Sequence, residues 1–328
     1  MLGTLADRIT HRIFPLRGAE SGPVELVHRR VFILPTRQGV LFGVFVAVML
    51  AGSMNYSLSL GYVLTFLLAT MAIVSVLHTF RNLVHLRVSA GKVAPVFAGG
   101  SASFPVRLES HEAIPRFSIA VVPRTGGEPA YADVPARDAA YADLRLPAPR
   151  RGWLRPGVLR VTTRFPLGLF FAWSNVELDM RCLVYPQPDT SRLPLPTMEP
   201  RAGAGSEFGT GEEDFSGMRP YRPGDSPRHI AWKAVAQERG LLTKQFSGQA
   251  EAELWLDWAL TAPMETEARL SRLTRWVLEA HRAGAIYGLR IPGALIAPDR
   301  GETHRDRCLQ ALALFGIDPQ GAPRGGGR

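Results

Sequence analysis

The sequence predicts three parts in series: a two-helix transmembrane hairpin, an all-β sandwich and a small α/β domain. Three observations carry this. No Asp, Glu, Lys or Arg occurs between Arg37 and Arg81, an uncharged run of 43 residues. From Leu83 to about Gln187, apolar and polar residues alternate with period two. From about Gly217 the period becomes helical, with short apolar strands between the helices.

As helix, the uncharged run would be roughly 64 Å long at about 1.5 Å per residue. A bilayer core is about 30 Å thick, so the run suffices for two spans and exceeds one. It breaks at Asn55, Tyr56 and Ser57. The hairpin is therefore placed at 37–80, with spans at about 37–54 and 58–77, after an N-terminal segment 1–36. Gly39, Gly43 and Gly52 dilute the first span, for which a re-entrant loop is the alternative. A cleaved signal peptide does not fit a run that starts this late and extends this far. Arg29, Arg30 and Arg37 precede the run; Arg81, Arg87 and Lys92 follow it, with no acid before Glu109. Basic flanks stay in the cytoplasm, so both termini and the soluble bulk are expected there.

Cys182 and Cys308 are the only two cysteines, which fits a reducing compartment and reads as buried filler. The net charge is +9 and the pI about 10.1. Nucleic acid and anionic lipid headgroups are the two partner classes such a balance suggests. The excess is mostly scattered Arg, and no zinc-ligand spacing or nucleic-acid fold signature accompanies it. With spans present, lipid is the simpler reading and no nucleic acid is expected.

In 81–187, Ala102, Phe104, Val106 and Leu108 alternate with Ser103, Pro105 and Arg107. Leu159, Val161, Thr163 and Phe165 repeat the pattern, as do Phe117, Ile119 and Val121. Short antiparallel strands of this kind predict a sandwich of immunoglobulin type. A Pro/Gly linker follows at 188–211, led by Pro186 and Pro188, stiff in its Pro-rich first half and mobile after Gly203.

The last domain spans 212–320. Ser226 and Pro227 predict a helix start, with the helix running to about Glu238. A strand at 252–258 contains Asp257 near its end. A helix at 265–283 puts Leu270, Leu273, Val277 and Ala280 on one face. A strand at 285–291 and a helix at 302–315 complete a parallel strand pair with its helices. The Gly-rich tail 321–328 is expected to be disordered.

The densest local signal lies at 219–233. Pro223 and Gly224 suit a type II turn. Asp225 then lies beside a helix start, where a carboxylate is favoured. His229 and Lys233 are four residues apart and share a helix face. Arg219, Tyr221, Arg222 and Arg228 surround the turn, and Ile230 with Ala234, and Trp232 with Ala236, supply an inward side. Two readings stand: a rigid structural corner, or a basic face that docks an acidic partner or phosphate. Asp225 and His229 could also serve a hydrolase together with Asp257, although spacing supplies no nucleophile, catalytic set or cofactor site around them.

Gly205-Ser-Glu-Phe208, the block 219–233 and Gly240-Leu-Leu-Thr-Lys244 resemble the domain of unknown function 58 family. Arg150-Arg-Gly-Trp153, Thr163-Arg-Phe-Pro-Leu-Gly-Leu169, Tyr287-Gly-Leu-Arg-Ile-Pro292 and Cys308-Leu-Gln-Ala-Leu312 are similar to segments of its bacterial members. The resemblance covers roughly 150–315. It implies a module related to von Willebrand factor A domains, in a protein of the bacterial inner membrane. It also implies a MoxR-type AAA+ ATPase as partner and, in some members, a transglutaminase-like membrane protein. The reaction, if any, is not implied. An intact A domain binds a divalent metal through D-x-S-x-S, where this chain has Asp257, Ala259 and Thr261. A methyl replaces one hydroxyl ligand, which a hard cation needs. About 70 residues remain after Asp257, roughly half or less of a doubly wound domain. A truncated A-like domain without metal is expected, and with it a scaffold or adaptor in envelope or protein-complex assembly. A hydrolase and a lipid- or nucleic-acid-binding module are the alternatives.

Overall fold

The computed structural model describes residues 22–191, 194–196, 215–221, 230–232, 241–246 and 254–317. They belong to two compact units, one of 1–185 with 316–328 and one of 186–315. The expected tail at 321–328 and most of the expected linker lie outside the described residues.

The first unit starts with two short strands, β1 (Val24–Glu25) and β2 (Phe32–Pro35). Two apolar helices follow, α1 (Arg37–Asn55) and α2 (Ser59–Arg81). The rest is β: β3 (Arg87–Ala90), β4 (Val96–Phe97), β5 (Ser101–Glu109), β6 (Arg116–Pro123) and β7 (Ala130–Val134), then β8 (Ala139–Pro147), β9 (Gly152–Leu154), β10 (Val158–Thr163), β11 (Phe170–Glu177) and β12 (Cys182–Tyr185). A four-stranded sheet runs β1-β3-β5-β8, a five-stranded sheet β2-β11-β10-β6-β7 and a small one β4-β12-β9. The two larger sheets are antiparallel throughout. Their inner faces share one core, in which Ala102, Phe104, Val106 and Leu108 of β5 meet Ile119, Val121, Leu159 and Val161. The alternation seen in β5 is thus a buried face opposed to an outer one.

Residues 24–35 are not a segment apart from this β-structure. Val24 pairs with Val88 and Pro35 with Phe170, so β1 and β2 supply one strand to each large sheet. The helical hairpin is an insertion between β2 and β3. Strands of two and four residues carry too little pattern to be read without their distant partners.

At 19 and 23 residues, α1 and α2 are about 28 and 35 Å long. Both are long and apolar enough to cross a bilayer. Leu41, Val48, Leu60 and Ile73 are exposed, whereas Ser53, Thr65, Ser75 and Thr79 are buried. Ser53 and Gly61 meet at the helix contact. The buried Ser53 and Thr65 hydroxyls donate to carbonyls one turn back, Met49 and Gly61. Ser53 and Gly61 thus lie between the helices, with large apolar side chains on the outside.

One position breaks the expected alternation. The register of β6 shifts between Arg116 and Ile119, and Ser118 adopts φ 51°. The irregularity turns Arg116 inward, 2 % exposed, and leaves Phe117 39 % exposed.

In the second unit, β13 (Phe215–Pro220) pairs antiparallel with β14 (Leu242–Phe246). Neither strand is predicted by the sequence reading, because Gly217 and Pro220 interrupt the first. Then come β15 (Leu254–Asp257), a 3-10 turn at Trp258–Thr261, α3 (Thr266–Arg282), β16 (Tyr287–Ile291), β17 (Ala294–Asp299) and α4 (Glu302–Leu314). β15 and β16 are parallel, joined through α3. β17 returns antiparallel on β16 through Pro292-Gly293, with Gly293 at φ 83° as a type II turn requires. Leu270, Leu273, Val277 and Ala280 are the buried side of α3, and Leu309, Leu312 and Ala313 that of α4.

The start of the expected linker is docked and not free. The Asp189 N–H donates to the Ser271 carbonyl, and its carboxylate is ion-paired with Arg272 of α3. Arg272 Nη2 also donates to Ser191 Oγ at 2.7 Å.

Candidate functional site

Of the 219–233 block, the described residues are Arg219–Tyr221 and Ile230–Trp232; Arg222, Pro223, Gly224, Asp225, Arg228, His229 and Lys233 lie outside them. β14 brings the two ends of the block together. Arg219 pairs with Thr243 from one side, and the Tyr221 N–H donates to the Leu241 carbonyl at 2.9 Å. Ile230 bridges Thr243 too, and the Ala231 N–H donates to the Leu242 carbonyl at 2.8 Å. The block therefore leaves and returns on the same strand. This overturns a helix that runs on from 226 through Ile230 and Ala231, because their backbone is engaged with β14; Trp232 itself is helical. Ile230 is buried, as the expected inward side demands, but Trp232 is 61 % exposed. Its expected place on the inward side is corrected: with Ile230 paired to a strand, helical spacing no longer decides which way residue 232 faces.

Asp257 ends β15 and caps the following 3-10 turn. Its Oδ1 accepts the Ala259 N–H at 2.9 Å, and its Oδ2 accepts Arg290 Nη1 at 2.9 Å. The Arg290 guanidinium lies over the Trp255 ring, 4.5 Å from its centre. The Thr261 hydroxyl donates to the Trp258 carbonyl at 2.7 Å. The Asp257 carboxylate and the Thr261 hydroxyl are thus each engaged within the chain. Among the described residues no group of three or more His, Cys, Asp or Glu is placed to hold a metal.

Between β16 and α4, His304 Nε2 lies 2.7 Å from the Tyr287 carbonyl oxygen and 3.6 Å from Cys308 Sγ. Burial pushes the Cys308 thiol up to about 12 and raises the Tyr287 hydroxyl as well. A thiol held neutral in this way is a packing group and not a nucleophile.

The most constrained constellation is the root of the hairpin, built on 163–169. At the start of α1, Thr36 Oγ1 accepts the Gly39 N–H at 3.0 Å and donates to the Gly168 carbonyl at 2.8 Å. The Thr36 N–H donates to the Leu169 carbonyl at 2.8 Å. At the end of α2, Thr79 Oγ1 donates to the Phe165 carbonyl at 2.8 Å. Asn82 Nδ2 donates to the Phe117 carbonyl at 2.7 Å and to Thr163 Oγ1 at 2.8 Å, while its Oδ1 accepts the Phe117 N–H at 3.1 Å. Arg116 Nη1 donates to the Arg81 carbonyl at 2.7 Å. One loop of the β-structure therefore holds both ends of the hairpin. Burial pushes the Arg116 guanidinium below its ordinary value, Glu112 opposes this, and Arg81 adds to it.

The sequence reading names none of Thr36, Thr79, Asn82 and Arg116 as functional. Thr36 had a signal, a hydroxyl residue directly before an apolar helix. The contacts by which the other three close the hairpin root span 35 to 86 residues, beyond any local pattern. Comparison with family models, with curated proteins and with solved structures returns no match to this chain.

Proposed function

We propose that this protein is a membrane-anchored scaffold or adaptor of the domain of unknown function 58 type. It sits in the bacterial inner membrane with termini and soluble units in the cytosol. It presents the second unit to a MoxR-type AAA+ ATPase in envelope or protein-complex assembly, and a transglutaminase-like membrane protein is the second partner class. The observation that carries the reading is the hairpin root. Both ends of an apolar hairpin are tied into one β-structure, so the anchor holds that structure against the membrane as one body.

The finer assignments follow the same line. Two antiparallel sheets around a shared core support an immunoglobulin-like sandwich. The parallel β15–α3–β16 unit supports a truncated A-like domain. The engagement of Asp257 by Arg290 favours a binding surface over a metal site. Basic residues at both ends of the uncharged run favour the cytosolic orientation. Trp232, 61 % exposed and within the 219–233 block, has the character of an interface anchor.

The test is capture from detergent-solubilised native membranes with wild type, Arg228→Glu and Trp232→Ala. An ATPase of the MoxR type held by wild type and lost in both variants, each still folded, supports the reading. Equal capture by all three removes this surface from it.

A further inference from the structure

The loops at the hairpin root carry apolar side chains where water-facing loops favour polar ones. Residues 113–117 read Ala-Ile-Pro-Arg-Phe, and 165–167 read Phe-Pro-Leu. Ile114, Phe117 and Leu167 are 47 %, 39 % and 48 % exposed, and Leu34, two residues before Thr36, is exposed too. Outside the helices, seven large apolar or aromatic side chains are exposed among the described residues of the first unit, and these four stand at the root. Such side chains scattered singly are ordinary, whereas a cluster rimmed by polar residues marks an interaction surface. The two loops flank a hollow of about 300 Å³ beside the last turn of α2, lined in part by His78, Asn82, Ile114, Pro115, Phe117 and Phe165. The Phe117 and Phe165 rings lie 5.1 Å apart, centre to centre. The one carboxylate in the lining, Glu112, is ion-paired with Arg116.

The backbone of these loops asks little of water. Pro115 and Pro166 have no N–H. The N–H and carbonyl of Phe117 are both bonded to Asn82. The Phe165 N–H donates to Thr163 Oγ1 at 3.2 Å, and its carbonyl accepts from Thr79. The Gly168 N–H donates to the Arg164 carbonyl at 2.8 Å, and its own carbonyl accepts from Thr36. Backbone satisfied within the protein can leave water without the penalty that keeps irregular chain out of lipid. Arg37, Arg81 and Arg164 are exposed around the loops. Their long side chains can hold an apolar stem against a surface and carry the charge away from it.

Position selects the partner. Thr79 and Asn82 join both loops to the turn where the apolar run of α2 ends. That is the boundary of headgroups and lipid chains if the hairpin crosses the bilayer; the inference rests on that reading. Apolar side chains with arginines about the end of a spanning helix match the chemistry of that boundary. We infer that 113–117 and 165–167, with Leu34, form a seat that enters the bilayer surface. Ile114, Phe117 and Leu167 lie among the first carbons of the lipid chains, and the three arginines lie among the headgroups.

The experiment uses full-length protein reconstituted in vesicles of phosphatidylglycerol and phosphatidylcholine. Cys182 and Cys308 are buried, so a single introduced cysteine takes an environment-sensitive fluorophore, and labelling confined to it confirms the fold. Ile114→Cys and Leu167→Cys probe the seat. Thr125→Cys, exposed beyond the far end of β6, is the aqueous control. Val48→Cys, exposed within α1, reports on the hairpin itself. Lipids with a nitroxide near the headgroup or at the chain end are compared with aqueous iodide as quenchers. The labels at 114 and 167 should lose fluorescence to the shallow nitroxide and be shielded from iodide, with the reverse at 125. The label at 48 should lose fluorescence to the deep nitroxide. Labels at 114 and 167 open to iodide and unquenched by either lipid, with 48 still quenched, would overturn the seat and leave the hairpin reading standing. Shielding from iodide without nitroxide quenching would overturn it in favour of a protein contact. The membrane reading fails separately, if neither lipid quenches the label at 48.

Discussion

The Cα of Gly39, in the first turn of α1, packs against the carbonyl oxygen of Leu169 with no room for a β-carbon. The contact joins the helical hairpin to the loop that also holds the end of α2. Gly43, one turn on in the same helix, has open space where a β-carbon would go. Gly39→Ala should therefore destabilise the protein by about 2 kcal/mol or more, since backbone cannot move aside as a side chain can. Gly43→Ala should be neutral or stabilising by up to about 1 kcal/mol through helix propensity. Thermal unfolding of the two variants in detergent checks the contrast; equal effects would remove the clamp as the explanation.

Asp257 is held by Arg290 and by the Ala259 N–H. Calorimetric titration with Mg²⁺ or Mn²⁺ at millimolar concentration should give no saturable heat. Asp257→Ala should cost about 1 kcal/mol, from a lost cap and a half-exposed ion pair. Saturable Mn²⁺ binding abolished by Asp257→Ala would show that the carboxylate exchanges arginine for metal.

The Ser191 N–H, the Ser191 hydroxyl and Arg272 hold the Asp189 carboxyl below the usual carboxylate range, and burial opposes them in part. The folded state then binds fewer protons than the unfolded state between the lowered folded pKa and the ordinary value of about 3.9. Stability rises with pH through that window. The contribution is fully present above the unfolded value and is lost as pH falls through the folded one. Asp189→Asn should be less stable than wild type at neutral pH, with the gap closing in acid. Denaturation at several pH values measures it, and a gap independent of pH would contradict the assignment.

Both thiols are buried, and burial pushes the Cys308 thiol up to about 12. Burial raises Cys182 as well. Neither should be alkylated by iodoacetamide in the native protein, and both should be after unfolding, as read by mass spectrometry. Rapid native labelling of Cys308 would mean that α4 opens readily.

Much of this architecture was legible in local pattern. The uncharged run predicted helices that the structure places at Arg37–Asn55 and Ser59–Arg81, because apolar length along one segment is a local property. Period two in β5 and period 3.6 in α3 named the buried sides correctly for the same reason. At the 219–233 block, local pattern found Ile230 on an inner side but misplaced the side on which Trp232 lies and the start of the helix.

What the sequence determined by itself is therefore the composition of each element: which stretches suit lipid, which suit a sheet, and which face of each is apolar. Tertiary structure alone decided that β1 and β2 join sheets formed by strands beyond the hairpin. It also decided that 163–169 closes the hairpin root, and that Arg116 and Phe117 exchange sides. Periodicity records the environment of a residue along its own element. Register, strand partners and the far end of a hydrogen bond are set by packing between segments that the chain brings together only on folding.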